Sequence, residues 1–448
     1  MSFKRYPSMT ESGVEWLGDI PSHWAVSKFR HAFIESAEKI ESDVFGVMLS
    51  VSGYRGIEVK EYDDANRRRL DEEVIGYRIV RPGQLVVNTM WLNYAGLGVS
   101  DYEGHVSPAY RAYWITEGLD RRFVHHMMRS ELFVRGYTKF LTGVRPNSLQ
   151  MGRDDLMGFQ LLKPPQEEQR AIAAFLDRET AKIDALVEEQ KRLIELLKEK
   201  RQAVISQAVT KGLDPSVPMK DSGVAWIGAI PSHWSLLPLC RVAARPGALF
   251  IDGDWIESKN LSDEGIRYLT TGNVGEGEYK EQGYGFITDA TFAELRCTEV
   301  RQGDILISRL NQPIGRACVV PVLGGRVVTS VDNVIVRPDA DFDARYLVFM
   351  LSSKAHFANM DGLARGTTMQ RISRSVLGRV RFALPPLAEQ TRIADFLLEE
   401  CSAIDELAGE AHRGVDLLQE RRSALISAAV TGKIDVRGLA QQPEVKAA

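Results

Sequence analysis

SGVEWLGDIPSHW occupies residues 12–24, and SGVAWIGAIPSHW occupies residues 222–234. The two phrases share ten of thirteen positions. A second echo lies downstream of each. KPPQEEQRAIAAFLDRETAKIDALVEEQ (163–190) matches LPPLAEQTRIADFLLEECSAIDELAGEA (384–411), and RQAVISQAVTKG (201–212) matches RSALISAAVTGK (422–433). The offset between copies grows from 210 to 221, so eleven extra residues lie within the second globular stretch. Repetition on this scale makes the chain two copies of one unit, a globular stretch followed by a helical one.

Each helical stretch opens on a proline pair (Pro164–Pro165, Pro385–Pro386) followed by carboxylates, which suits a helix N-terminus. An apolar seam then steps by four and three through Ile172, Leu176, Glu179, Ile183, Leu186, Gln190, Leu193, Leu197, Lys200 and Val204. Ile393, Leu397, Glu400, Ile404, Leu407, Ala411, Gly414, Leu418, Arg421 and Leu425 repeat it. Gly212 and Gly432 supply stops. Heptad spacing sustained this long predicts a coiled coil rather than two helices each lying on its own half. Helices of roughly 42 residues are about 63 Å long. A short linker, LDPSVPMKD (213–221), follows the first of them, so the second helix is expected to start near the end of the first and run back. The boundaries follow: 1–163, helix 164–210, 211–384, helix 385–431, and a tail at 432–448.

A chain of 448 residues exceeds one compact core. It is 44% hydrophobic and 26% charged, an ordinary globular balance. No run of eighteen apolar residues predicts a membrane span, and the N-terminus has no secretory apolar core. Cys240, Cys297, Cys318 and Cys401 are too scattered for a zinc site or disulfide framework, so a reducing cytoplasm is expected. The net charge of −4 gives no global signal for nucleic acid.

The globular halves read as strand-rich with short helices. PGQLVVNTMWLN (82–93) and QGDILISRLNQP (302–313) each hold a Gly turn, an apolar strand and then polar or aromatic residues. Segments 106–115 and 329–338 are expected strands, and 121–140 and 344–360 expected helices. Basic and acidic residues number 21 and 21 in 1–163, and 18 and 17 in 222–384. One acid-free segment in each half breaks that balance. It contains Arg135, Lys139, Arg145 and Arg153 in 132–153, and Arg365, Arg371, Arg374, Arg379 and Arg381 in 362–382. Cations among small residues are what phosphate contacts need, and the alternative is a solvated basic surface.

No catalytic engine is legible. There is no Walker-A pattern, no Asn-Pro-Pro-Tyr-like element and no Gly-rich cofactor loop. GIEVK (56–60) fits a nuclease-like pattern only by chance-level similarity. His125–His126 reads as helix surface rather than a metal site, and each PSHW as a turn with a buried Trp.

These elements together resemble the DNA-specificity subunit of type I restriction–modification systems. The resemblance is carried by the paired G-x-I-P-S-H-W openings (Gly18–Trp24, Gly228–Trp234) and GDILISRLN (303–311). The loops TGVRPNSL (142–149) and RGTTMQRIS (365–373) and the PPxxEQ helix starts complete it. It runs nearly end to end, although GVRPN stands in the first loop where the second has GTTMQ. It implies an α+β fold in which two strand-rich target-recognition domains are joined by two long helices forming an antiparallel coiled coil, a pseudo-two-fold internal repeat. It implies a non-catalytic, cytoplasmic subunit that binds a bipartite target in double-stranded DNA. The partners it implies are two methyltransferase (modification) subunits and restriction/translocase subunits, with no membrane. This chain would bind no cofactor; S-adenosylmethionine, ATP and Mg would sit on the partners.

On this reading, base edges would be met by Arg, Asn, Gln or aromatics on loops. The candidates are Tyr54, Arg55, Asn88, Trp91, Asn93 and Tyr110 in the first half. In the second they are Asn273, Arg309, Asn311, Gln312, Arg316 and Asn333. Arg145 and Arg365 are the expected phosphate contacts, with Thr367, Thr368 and Arg371 beside them. A fused methyltransferase or nuclease, and a coiled-coil adaptor that binds only protein, are the competing readings.

Overall fold

The structure, a computed structural model, describes residues 3–60, 74–116, 118–143, 149–366 and 370–439. The chain divides into two compact units, residues 1–191 with 413–448 and residues 192–412. One long helix spans Gln166–Lys211 and another Leu387–Val430, and each contributes to both units. Both end at a glycine with positive φ, Gly212 (73°) and Gly432 (68°).

Within each unit the two helical segments run antiparallel. In the first unit Asp184 pairs with Arg422 at 2.9 Å, while Ile172, earlier in its helix, shares a core with Val430, later in its own. In the second, Arg201 pairs with Asp405 at 3.1 Å, and Ile205 shares a core with Cys401.

The seam differs from the expected one in phase. Ile172, Leu176, Ile183 and Leu197 are buried as read, but Leu186 and Leu193 are 46% and 42% exposed, and Val187 and Ile194 take their places. Thr180 is likewise buried in place of Glu179, and Cys401 and Ile426 in place of Glu400 and Leu425. The two phases share every second position and differ by one residue at the others. The observed phase leaves Glu179 to Arg178 and Lys182 near solvent, and turns inward Arg201, which finds Asp405. An unpaired buried charge would cost far more than an exposed leucine. Accordingly Val187→Asp should destabilise the chain by roughly 3 kcal/mol or more, and Leu186→Asp by about 0.5 kcal/mol or less. Urea melts of the two variants test this, and equal losses would restore the other phase.

The two units share a sheet order. In the first, strands run Phe33–Glu35, Tyr110–Ile115, Leu85–Asn88, Leu97–Val99; in the second, Leu249–Asp252, Asn333–Arg337, Ile305–Ser308, Ala317–Val319, all neighbours antiparallel. The central strands are apolar on consecutive residues because both faces are covered. Leu85 and Val87 face the helices while Val86 faces a second sheet; Ile305 and Ile307 face the helices while Leu306 faces the other way. That second sheet has a common three-strand core with one parallel pair, Val47–Ser52 with Gly104–Val106 and Ile266–Leu269 with Val327–Thr329. Its fourth strand sits on opposite edges in the two units, Arg78–Val80 in one and Leu261–Ser262 in the other.

The expected helices at 121–140 and 344–360 are each two helices. The breaks fall at Ser130, between Arg121–Arg129 and Glu131–Thr138, and at Ser352–Ser353, between Ala344–Leu351 and Lys354–Leu363. Ser130 Oγ donates to Met127 O (2.8 Å) and Ser353 Oγ to Met350 O (2.9 Å), so both serines bind the backbone of the preceding turn, as short polar side chains do at helix ends.

Residues near the two ends of the chain meet in the first unit. Asp435 N donates to Lys4 O (2.8 Å), and Arg437 lies over the Tyr6 ring, 4.9 Å from its centroid. In the second unit the linker after Gly212 leads directly into the strand Met219–Asp221.

Candidate nucleic-acid interface

The repeated phrase is the mount for this interface. Trp24 Nε1 donates to Glu168 Oε2 (2.9 Å), and His23 Nε2 lies 2.6 Å from Glu168 Oε1. Trp234 Nε1 donates to Glu389 Oε1 (3.1 Å), and His233 Nε2 lies 2.8 Å from Glu389 Oε2. The His-Trp pair of each opening therefore grips the glutamate of each PPxxEQ helix start. The following glutamine ties that start to the next element: Gln169 accepts from Asp120 N (2.8 Å) and Gln390 from Asp343 N (3.0 Å). Tyr6 adds a third donor to Glu168 at 3.0 Å. Burial and the Glu168 charge push the Tyr6 phenol far above its ordinary pKa.

From that mount the central strand of each unit delivers a loop. In the second unit the loop after Ser308 lies against the acid-free segment through main-chain bonds, Ile372 N to Arg309 O (3.1 Å) and a Leu310–Arg371 bridge. Arg365 and Arg371 exchange both main-chain bonds (3.0 and 2.9 Å), closing the loop between them. Arg371 reaches Asp332 at 2.9 Å, and Arg374 lies 3.5 Å from Asp252. The exposed Gln312 amide donates to Asp361 Oδ1 (2.8 Å) and to Gln370 Oε1. Asn311 is exposed with φ 63°. Arg365 is exposed, and no ion pair to it occurs among the described residues. Asn311, Gln312, Arg365 and Arg371 thus converge on one surface, joined by Arg374 of the acid-free segment and by Gln370, whose residue type alone did not mark it.

Four candidates of this half turn into the fold instead. Arg316, 9% exposed, donates to the carbonyls of Val274 (2.6 Å), Thr271 (2.8 Å), Asn311 (2.8 Å), Leu310 (3.1 Å) and Pro313 (3.3 Å). Arg309, 6% exposed, donates to Val331 O and lies 3.3 Å from Asp252. Burial lowers the pKa of both guanidiniums. Asn273 caps a turn through Thr270 N (2.9 Å) and Lys280 O (2.9 Å), and buried Asn333 donates to Thr329 Oγ1 (2.9 Å).

In the first unit, Trp91 is 55% exposed, and the exposed Arg55 pairs with Glu58 at 2.9 Å. Asn88 is buried and accepts from Met90 N (3.1 Å). Asn93 is half-buried, its Oδ1 without a partner, and Tyr110 packs between the sheets. Tyr54 donates to Asp184 and is covered by Arg422, 4.5 Å from its ring; burial and that bond push its phenol to about 12. Arg145, Thr367 and Thr368 lie outside the described residues.

His125 and His126 are interior rather than surface groups. Burial lowers both to about 3. His126 Nε2 lies 2.7 Å from Asp177 and His125 Nδ1 accepts from Val99 N (3.3 Å). Among the described residues no His, Cys, Asp or Glu group is arranged to hold a metal, and no helix is long and apolar enough to cross a membrane.

Two α+β units of the same sheet order, each anchored by the same His-Trp-Glu contact and presenting differently composed loops at equivalent strand ends, define a class of duplicated two-unit proteins. Residues 249–405 match the type I restriction modification DNA specificity domain. The chain is 24% identical over 289 residues to the type I restriction enzyme MjaVIII specificity subunit of Methanocaldococcus jannaschii, covering 62% of each. It is 22% identical over 329 residues to the EcoKI specificity subunit of Escherichia coli strain K12, covering 72% of this chain and 68% of that one. Its fold is similar to that of a chain solved in a study of type I R-M complex assembly (TM-score 0.70, 16% identity, 93% and 99% covered). It is also similar to the HsdS subunit from Thermoanaerobacter tengcongensis (TM-score 0.52, 16% identity, 95% and 100% covered). Residues 249–405 thus resemble a type I specificity domain, and most of the chain is similar to type I specificity subunits.

Proposed function

We propose that this chain selects the DNA target of a type I restriction–modification complex, each unit reading one half of a bipartite sequence. The observation that carries the reading is the pair of equivalent strand ends bearing unlike loops, Met90–Tyr94 in one unit and Asn311–Gln312 beside Arg365 and Arg371 in the other. A shared scaffold with divergent tips can read two different half-sites at fixed separation. The chain itself supplies recognition and no chemistry. Methyltransferase subunits carrying S-adenosylmethionine, and restriction subunits using ATP and Mg, would act on the DNA it selects, in the cytoplasm.

Coexpression with the methyltransferase partner in an unmodified host, followed by methylation mapping, should give a single motif of two specified half-sites around an unspecified spacer. A continuous motif, or none, would contradict the reading. The loop cations give a second expected result. Arg365→Gln should weaken target and random duplex alike and reduce the log–log salt slope of binding by about 0.9, without changing the melting temperature. An unchanged slope with lowered melting would make Arg365 a brace of its loop instead.

A further inference from the structure

We infer that the turn carrying Met90, Trp91 and Tyr94 reads a thymine in the half-site of the first unit, through apolar contact with its methyl group. The inference rests on the DNA-reading function proposed above and names how one unit performs it.

The turn is held rigidly. Trp91 N donates to Asn88 O (3.0 Å), Gly96 N to Trp91 O (2.8 Å) and Asn88 N to Gly96 O (2.7 Å). A Cβ on Gly96 would fall 2.5 Å from Trp91 O, so only glycine closes the turn this tightly. Arg129 fastens it from below, donating to Ala95 O (3.2 Å), Leu97 O (2.6 Å), Ser52 O (3.2 Å) and Gly53 O (2.9 Å). Leu92 is fully buried as the anchor.

So fixed, the turn directs its other large side chains outward. Met90 is 37%, Trp91 55% and Tyr94 54% exposed. A rigid turn that leaves three large apolar side chains in water is built to be covered by a partner. The neighbouring chemistry selects which partner. Met151 N bonds to Thr89 O (3.2 Å), which sets the strand pair Leu141–Thr142 and Gln150–Met151 against the turn. That pair belongs to the acid-free segment 132–153, whose exposed Lys139 and Arg153 are held only by solvent-screened surface pairs with Glu15 (3.5 Å) and Glu35 (3.3 Å). A polyanion is the occupant such a flank favours.

The ring geometry selects the contact. The Trp91 and Tyr94 centroids are 5.8 Å apart, with planes tilted by 59°. Two rings so inclined cannot slide between base pairs as parallel plates. They form a blunt apolar surface with Met90, and the apolar feature on base edges in the major groove is the thymine methyl. The equivalent turn of the second unit exposes Asn311 and Gln312 in that place, so the two half-sites are met by unlike chemistry.

The test uses the full chain with its methyltransferase partner, as parent, as Trp91→Ala/Tyr94→Ala, and as Trp91→Phe. Methylation mapping should show the double variant losing discrimination at one A·T position of one half-site. The other half-site and the spacer should be unchanged, and Trp91→Phe should retain the parent motif. In a synthetic duplex, deoxyuridine in place of that thymine should weaken the parent ~4-fold, one methyl's worth of burial, and leave the double variant unaffected. A parent motif of two half-sites that the double variant keeps intact overturns the inference while leaving the proposed function standing. So does a parent indifferent to deoxyuridine at every position, a result that requires no variant to fold. Loss of the copurifying methyltransferase, with the duplex-binding preference of the double variant unchanged, would assign the turn to a protein contact and also overturn it. A parent with no two-part motif fails the proposed function first.

Discussion

Arg316→Met should unfold the second unit rather than merely weaken what it binds. The guanidinium is 9% exposed and five main-chain carbonyls converge on it at 2.6–3.3 Å, drawn from residues 271–274 and from the loop 310–313. Methionine fills much of the volume and supplies no donor. Each buried carbonyl left unsatisfied costs about 1–3 kcal/mol, and the losses are not additive because the loop relaxes. A total of about 4 kcal/mol or more is expected, a large share of a domain's stability. Arg316→Lys should recover only part of it, since an ammonium offers three donors from one point. Thermal melting of the full chain measures this, with Arg371→Gln as the control that stays near the parent. A parent-like melt of Arg316→Met would show that the carbonyls find water without penalty.

Glu168→Ala and Glu389→Ala should both destabilise, and unequally. Each removes the acceptor shared by a His-Trp pair and strands an indole N–H in the interior. Glu168 also accepts from Tyr6, and its side chain is 9% exposed against 18% for Glu389. Arg437, 3.7 Å from Glu168 and 43% exposed, adds little through solvent. Losses of about 4 kcal/mol for Glu168→Ala and about 2 kcal/mol for Glu389→Ala follow from the number and burial of the stranded donors. Equal effects in urea melts would mean that Tyr6 contributes nothing to the anchor.

The duplication, the long helices and their antiparallel course were legible because the phrases and the heptads recur with their own spacing. The seam phase was not, because Leu186 and Val187 are equally apolar and only the fate of Glu179 and Arg201 separates the two solutions. The opposite-edge strands were not legible either, since segments of two or three residues such as Leu261–Ser262 carry no period. For the site, residue type marked the correct loops but not the direction of each side chain. Arg316 and Arg371 are the same amino acid in neighbouring loops; one is encased by carbonyls and the other faces solvent, a distinction made wholly by tertiary packing. The role of PSHW lay beyond reach for the same reason, because Glu168 is 144 residues from Trp24.

The bond between Asp435 and Lys4 ties the segment after the second long helix to the residues that lead into the first opening phrase. One crossing from the end of a long helix to an opening phrase is made by the peptide linker after Gly212. The other is made without a covalent link, by Arg437, Tyr6 and the main chain around them. Each opening phrase is thus joined to the end of a long helix, once by covalent chain and once by a hydrogen bond and a ring contact.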